Sequence, residues 1–490
     1  MGKYIISIDQ STQGTKAVLF DKKGKLINRK DLSHLQIIND KGWVSHNPEE
    51  IYKNTVSLVK NLVIASGINK NDVVGIGISN QRETSLIWDR FDRKPLANAI
   101  VWQCNRAKDI CENPKIKDAS EIIKERTGLQ LSPYFPASKL SWLLKNVTGA
   151  SDMAESNRLC MGTIDTWLIY CLTEGKSYKT DYSNASRTQL FNIHTLEWDK
   201  DICELFGVHT KWLPEVCDSN SYFGDTNFEG FFNKPIPIHS NMGDSHSALF
   251  GQGCLQTGMI KATYGTGSSI MMNIGENLVM SKHGVVTSLG WRMNGKTTYV
   301  LEGNINYTGA VISWLKDNVG LINKPNETEE LCYNAKDNDE LYFIPAFTGL
   351  GAPYWNSNIK GSLLGITRNT SKNEIVRAGI ECIAYQIIDI IRAMEEDTQV
   401  MVKELRVDGG PTKNNYLMQF QSDILSGSVL VPNTEELSAI GAAYAAGLSL
   451  GIYNESIFGN IERKVYNPQI SNNIQEKKYN GWKDAIKTIL

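Results

Sequence analysis

The chain has 490 residues and a formal net charge of −2. That is enough length for two to four domains with large buried cores, and it offers no field that would attract nucleic acid or an anionic membrane. Its nine cysteines show no C-x-x-C pair and no zinc spacing, which argues against a metal module or a disulfide framework and implies reduced thiols. No apolar run approaches the ~20 residues of a membrane span, and the N-terminus enters a strand pattern without the basic and apolar regions of an export signal, so a cytoplasmic protein is expected.

In chain order, the apolar run Ile5–Asp9 meets a polar turn, Gln10–Lys16, and then a second apolar run, Ala17–Phe20. Val73–Ser79 predicts a buried strand, followed by the polar turn Asn80–Glu83 and a short strand through Trp88. Ile100–Trp102 predicts another strand, with a helix starting near Asn105, and Leu140, Leu143 and Leu144 predict an amphipathic helix over 137–146. Residues 160–195 read as polar and turn-rich, and Ile236–Ile238 leads as a strand into Asn241–Asp244.

A second half begins near Gly253 and repeats the opening theme. Met259–Tyr264, the turn Gly265–Ser268 and the run Ser269–Met272 form another strand–turn–strand. A strand–helix region at 298–316 and a Gly/Pro-rich loop at 347–353 follow. Next comes a long helix over 372–396, whose Ile375, Val376, Ile380, Ile383, Ile387 and Ile391 are spaced for one face. Leu405–Val407 predicts a strand ending in Asp408-Gly409-Gly410, and 435–450 a helix of small residues that packs closely. The repeat predicts a duplicated α/β chain, 1–252 and 253–490, with a cleft between similar domains.

Hairpin turns rich in Gly, Ser and Thr present backbone N–H groups and hydroxyls, a combination suited to phosphate oxygens. Asp9 ends the first strand at such a turn, where a carboxylate can hold hydrated Mg²⁺ on phosphates. Either turn alone also reads as a plain hairpin; two that face each other would clamp the phosphate chain of a nucleotide. Asp244 follows Gly243 at a strand end, a place for a general base, although a turn Asp there can also simply cap the following helix. Arg82 can fork onto two oxygens and Glu83 can accept from a hydroxyl, so the pair suits a polyol; a surface ion pair is the alternative. The seven histidines are scattered without ligand spacing and read as structural.

Longer segments carry a family resemblance: Ser79–Thr84, Asn98–Cys104, Tyr134–Asn146, Thr180–Thr188, Ala346–Trp355, Gly361–Glu381, Arg406–Gly410 and Met418–Leu425. Over nearly its whole length the chain resembles the FGGY carbohydrate kinases, and among them the glycerol kinase branch. The resemblance implies an α/β fold of two actin-like (ribonuclease-H-like) domains with a nucleotide and substrate cleft between them, the substrate on the N-terminal side and the nucleotide on the C-terminal side. It implies Asp244 as the catalytic base and Arg82, Glu83, Trp102 and Tyr134 as substrate-binding residues. Thr12, Gln13, Lys16 and Thr266 would serve the phosphates of ATP; Gly309, Gly410 and Asn414 would lie near its nucleoside. Asp9 would hold Mg²⁺. A homodimer or homotetramer is expected.

The departures from that branch cluster in the pocket. Ser245 replaces a Gln beside the base and Ser269 replaces a Phe, so both are placed in the substrate set, while Asn304–Tyr307 replaces a mainly small, apolar stretch. Losing a Phe removes apolar contact worth roughly 1.5–3 kcal/mol and adds donors, which favours a C4–C5 polyol or ketose such as xylulose or a pentitol over glycerol, the alternative substrate. Ser11, Gly14 and Ser313 also depart near the nucleotide, without an interpretation. Gly230 stands where some members carry a phosphorylatable His, so control through that position is not expected. An actin-like ATP switch is the alternative of another class; it needs no polar acceptor set such as Arg82, Glu83, Trp102, Tyr134 and Asp244.

Overall fold

A computed structural model describes residues 2–336 and 340–490. The first half is built on a six-stranded sheet. β1 (Tyr4–Gln10) turns into antiparallel β2 (Gly14–Phe20), and β3 (Leu26–Ser33) extends the meander. Helix α1 (Pro48–Ser66) starts at Asn47, whose side chain accepts from the backbone N–H groups of Glu49 and Glu50. β4 (Val73–Asn80) then runs parallel to β1. A smaller sheet containing Ser85–Asp89 and Leu159–Thr163 follows, with α2 (Pro136–Asn146) and α3 (Ile164–Leu172), before β5 (Gly224–Thr226) and β6 (Ile236–Gly243) complete the order β5-β6-β4-β1-β2-β3.

Helix α4 (Asp244–Gly251) leaves β6 and carries the chain into the second half. There β7 (Ile260–Tyr264), β8 (Ser268–Gly275), β9 (Val286–Met293) and β10 (Lys296–Ile305) precede α5 (Gly309–Ser313) and α6 (Lys372–Thr398). β11 (Glu404–Asp408), α7 (Asn415–Leu425), β12 (Ser428–Pro432), α8 (Leu437–Ser449), β13 (Arg463–Tyr466) and α9 (Asn472–Ile489) finish the chain. The second sheet has the order β9-β10-β8-β7-β11-β12-β13. In both sheets a central strand pairs with its antiparallel hairpin partner on one side and a parallel strand on the other: β2-β1-β4-β6 in the first, β8-β7-β11-β12 in the second. This is the pair of actin-like, ribonuclease-H-like α/β domains that the family resemblance implies, and it carries the duplication that the repeated strand–turn–strand predicts.

Strand alternation sorts the core into layers. Ile6 and Ile8 of β1 pack with Val59, Leu62 and Val63 of α1 and Ile169 of α3. Ile5 of β1 and Val18 and Phe20 of β2 face the other way, onto Leu249 of α4 and Ala439, Ile440 and Ala443 of α8. The same cluster includes Met271, Trp291 and Val300 of the second sheet, so α4 and α8 lie between the two sheets. On the far face of the second sheet, α6 buries Ile380, Ile383, Ile387 and Ile391, as its periodicity predicts. Its start is fixed by a capping box between Ser371 and Glu374. All nine cysteines are free thiols, and no helix among the described residues is long and apolar enough to cross a membrane.

Three expectations differ. Only Ala99–Ile100 is a strand, which leaves Trp102 in the turn after it, and the helix beyond Asn105 is limited to Lys108–Cys111. The stretch 160–195 is not simply turn-rich, because it holds the end of a buried strand and all of α3, every residue of which is buried. A helix apolar on all sides gives no one-sided stripe to detect.

The α4–α8 contact requires bare backbone. A Cβ on Gly441 would sit 1.9 Å from the carbonyl oxygen of Ser247, and one on Gly251 would sit 2.2 Å from that of Leu437. Replacing Gly441 with Ala should therefore force the two helices apart and cost about 1–3 kcal/mol, read as a lower urea midpoint; an unchanged midpoint contradicts this packing account.

Candidate active site

The carboxyl ends of β1, β4 and β6 lie side by side, the position where open α/β sheets hold ligands, and Glu302 of β10 reaches them from the second half. β4 ends in Asn80 and delivers Arg82 and Glu83, the latter with a left-handed φ of 59°. Such a backbone persists in a non-glycine residue only where its surroundings hold it. Here the holding groups are charges. Arg82 donates from Nη1 and Nη2 to Oε2 and Oε1 of Glu302, both at 2.8 Å. Arg187 donates from Nε to Glu83 Oε1 at 2.7 Å and lies 3.0 Å from Glu302 Oε2 through Nη1. Arg82 Nε is 4.0 Å from Glu83 Oε1, so Arg82, Glu302, Arg187 and Glu83 form a closed ring of alternating charge.

Burial makes each charge in the ring depend on its neighbours. Burial alone would raise Glu302, but Arg187 and Arg82 hold it well below the usual carboxylate range. Burial would lower Arg82, yet Glu302 and Glu83 keep it firmly protonated. The side chains of these four residues are at most 6% exposed, whereas Asp244 is 36% exposed and lies 3.4 Å from Arg82 Nε. Asp244 opens α4, accepts from the backbone N–H of Ser245 at 2.6 Å, and follows Gly243, whose N–H donates to Ser183 Oγ at 3.0 Å. The arginine fork predicted to meet substrate oxygens is thus closed on Glu302, and the Nε edge points toward the carboxylate.

Trp102 and Tyr134 come together beside this ring, with ring centroids 5.6 Å apart. The Trp102 indole N–H donates to Thr12 Oγ1 at 2.9 Å, which joins the aromatic pair to the first hairpin turn. Tyr134 precedes α2, whose buried Lys139 donates to the carbonyls of Pro133, at 2.7 Å, and Tyr134. Burial lowers Lys139 to about 7. Tyr134, Arg187, Glu302, Asn304, Asn306 and Trp355 line a cavity of about 370 Å³. Asn304 and Asn306 are exposed and Ser245 is half-buried, while Ser269 donates from its hydroxyl to Glu302 Oε1 at 3.3 Å.

On the other side, Asp9 is buried at the end of β1 and accepts from Ser79 Oγ at 2.9 Å. Burial raises it to about 6, against the lowering influence of Lys16, its partner across the hairpin. Lys16 donates to Glu436 Oε2 at 3.2 Å, and Arg29 also bonds Glu436. Gln13 is exposed in the first turn and Thr266 in the second. The carbonyl of Thr266 accepts from the N–H of Thr308 and of Ala310, both at 3.0 Å, and Gly309 N–H donates to Gly265 O at 2.9 Å. Gly409, with φ of 103°, lies so close to Tyr264 that a Cβ there would be 2.0 Å from its carbonyl oxygen. The turns that carry Thr266, Gly309 and Gly410 therefore converge on the end of β7. Asn414 is engaged differently: its side chain caps α7 through Leu417 N–H at 2.9 Å and donates to Thr328 Oγ1 at 3.0 Å.

Sequence reasoning missed Glu302, Arg187, Lys261 and His246. Lys261 is buried and donates to Thr263 Oγ1 at 2.9 Å. His246 is buried with neither ring nitrogen bonded among the described residues, and burial beside Arg82 keeps it neutral. The position of Arg187 within a long matched segment was the one available signal. Glu302, between Leu301 and Gly303 in a strand run, gave none.

Two actin-like domains, joined across the cleft by the bond between Arg82 and Glu302 and carrying a hairpin turn at the end of β1 and another at the end of β7, have the architecture of a phosphotransferase. The chain matches the FGGY family of carbohydrate kinases in both its parts, the N-terminal domain over residues 4–251 and the C-terminal domain over residues 260–450. Glycerol kinase 2 of Thermotoga maritima is 47% identical over 453 residues, 92% of this chain and 91% of that protein. A crystal structure of Plasmodium falciparum glycerol kinase with ADP superposes with a TM-score of 0.94 at 36% identity, covering 100% of this chain and 98% of that one. A ligand-bound xylulose kinase from Lactobacillus acidophilus has a TM-score of 0.88 at 22% identity, covering 99% and 98% of the two chains, a likeness of fold. The protein belongs to the FGGY carbohydrate kinases. It is a phosphotransferase with an alcohol group as acceptor.

The Asp9 environment has a consequence for stability. Because its folded pKa is raised to about 6, the contribution of the protonated group is intact below the ordinary carboxylate value and is lost as pH rises through about 6. A displacement of that size is worth about 3 kcal/mol. Asp9→Asn should therefore stabilise the nucleotide-free protein at pH 8 by up to about 3 kcal/mol, falling to about half that at pH 5. Urea denaturation at both pH values checks this; a pH-independent difference contradicts it.

Proposed function

We propose that the protein transfers the γ-phosphoryl group of ATP to a terminal hydroxyl of glycerol, with Asp244 as general base. The observation that carries the reading is the placement of Asp244, a partly exposed carboxylate 3.4 Å from the buried Arg82, in a chain that is glycerol kinase-like over nearly its whole length. Phosphoryl transfer asks for positioning, charge neutralisation and a proton acceptor rather than covalent chemistry. Asp244 would take the hydroxyl proton, Trp102 would cover the carbon chain, and Glu83 and Tyr134 would orient hydroxyls. Residues 1–252 would supply most of the acceptor side and 253–490 most of the nucleotide side, with Thr12, Gln13, Lys16 and Thr266 around the phosphates and Gly309, Gly410 and Asn414 toward the nucleoside.

Mg²⁺ fits this donor set in one way. No group of three or more His, Cys, Asp or Glu residues that could hold a metal exists among the described residues, which suits an ion that keeps its waters and binds one or two carboxylates with substrate phosphates. Asp9, whose burial penalty a cation would relieve, would hold it through water; bound there, it would neutralise phosphate charge. A homodimer or homotetramer is the assembly we propose, by family resemblance.

The C4–C5 reading drawn from the pocket departures gives way to glycerol. The relatives at 44–47% identity are glycerol kinases, whereas the xylulose kinases share the fold at 16–22%. Ser269 also spends its hydroxyl on Glu302, so that departure adds support to the ring rather than a free donor for an extra sugar hydroxyl.

A coupled-ADP assay over glycerol and C4–C5 polyols and ketoses tests the reading. Glycerol should show the highest kcat/KM; a C4–C5 compound that surpasses it overturns the choice of acceptor. Asp244→Asn should keep the fold and lower kcat by the ~10²–10⁴ of a lost general base, and near-native turnover would remove Asp244 from that role.

A further inference from the structure

The ring around Arg82 is assembled from both halves of the chain. Arg82, Glu83 and Arg187 come from the first half, and Glu302 comes from β10 of the second sheet. Glu302 is the member without which neither arginine keeps its full set of partners. Its two oxygens take both terminal nitrogens of Arg82 at 2.8 Å, and a planar guanidinium held at two corners has the direction of its third N–H fixed as well. That third group, Nε, is the one 3.4 Å from Asp244.

Glu302 is also tied to the second hairpin turn. It lies opposite Met271 in the β8–β10 pairing, with Ser269 opposite Asn304, and Ser269 Oγ donates to it at 3.3 Å. β8 begins at Ser268, next to the Gly265–Gly267 turn, and Ser268 Oγ and Thr308 Oγ1 are 2.7 Å apart. A short, hydrogen-bonded stretch of β8 therefore separates the turn assigned to phosphate from the carboxylate that sets Arg82.

We infer that Glu302 is a positioning residue for the acceptor, holding Arg82 from across the cleft and making acceptor affinity depend on what occupies the β7–β8 turn. This rests on the glycerol kinase reading above. A carboxylate that merely neutralised buried arginines would influence folding and both substrates alike. A positioning residue acts first on the acceptor, and its effect changes with nucleotide.

The test compares wild type, Glu302→Gln and Glu302→Asp, with circular dichroism to establish folding. The coupled-ADP assay gives KM for glycerol and for Mg-ATP, and calorimetry gives glycerol affinity with and without a non-hydrolysable ATP analogue. The Gln variant offers an N–H₂ to one arginine nitrogen and should raise glycerol KM by about 10–100-fold, with ATP KM changed less than about 3-fold. The Asp variant keeps the charge but, one methylene shorter, cannot reach both nitrogens from the same backbone, and should raise glycerol KM by about 3–10-fold, less than Gln does. In wild type the analogue should tighten glycerol binding by about 5-fold or more, and Glu302→Gln should abolish that gain.

A folded Gln variant with glycerol KM within about 3-fold of wild type overturns the inference, as does a parallel rise in both KM values. If the Gln variant fails to fold, the Asp variant decides: a glycerol KM and a nucleotide-dependent gain equal to wild type overturn it. Wild type that turns over no glycerol but another acceptor of the panel refutes the glycerol reading alone, and the same KM split is then read with that acceptor.

Discussion

Two arginines and two carboxylates withdrawn from water at the bottom of a cleft impose the main constraint on this molecule. Charges at such depth are costly to desolvate, and the attraction between them offsets that cost only when the geometry is good and the remaining lone pairs are used. The geometry here depends on distant parts of the chain: the end of β4 for Arg82 and Glu83, the turn at Arg187, and β10 for Glu302. A partly satisfied network of this kind is worse than an apolar core. The strands that deliver the four side chains must therefore keep their register, and the left-handed backbone at Glu83 is held in place by the same bonds.

The layering explains how two domains maintain that register. Helices α4 and α8 lie between the sheets and touch through Gly251 and Gly441, where no side chain fits. Asp244 begins one of these helices, and Glu436, which bonds Lys16, immediately precedes the other. Ser438 Oγ also donates to the carbonyl of Asp244 at 3.1 Å. Asp244 and Lys16 are thus both attached to the helix pair packed between the two sheets.

What was legible in the sequence follows from how local each signal is. The two hairpins, the long α6 stripe and the strand ends at Asp9 and Asp244 are written in adjacent residues, and the structure has them in those places. α3 was missed because its residues are apolar on every side. Glu302 was missed because a lone acidic residue in a strand run looks like any half-exposed position; its two arginines arrive from more than a hundred residues away. The same kind of non-local bond was hidden at Ser269, placed in the substrate set from its position, whose hydroxyl donates to Glu302. Asn414, expected near the nucleoside, also caps the start of α7, a local role its sequence position did not announce.

The account comes down to where the acceptor hydroxyl lies relative to Asp244 and the two glycine turns. A crystal structure with glycerol and a non-hydrolysable ATP analogue measures that directly. The account predicts a terminal glycerol oxygen within hydrogen-bond reach of Asp244, facing a γ-phosphate held between the turn after β1 and the turn after β7, with Arg82 still forked on Glu302. Glycerol bound away from Asp244, or phosphates that contact neither turn, would contradict it.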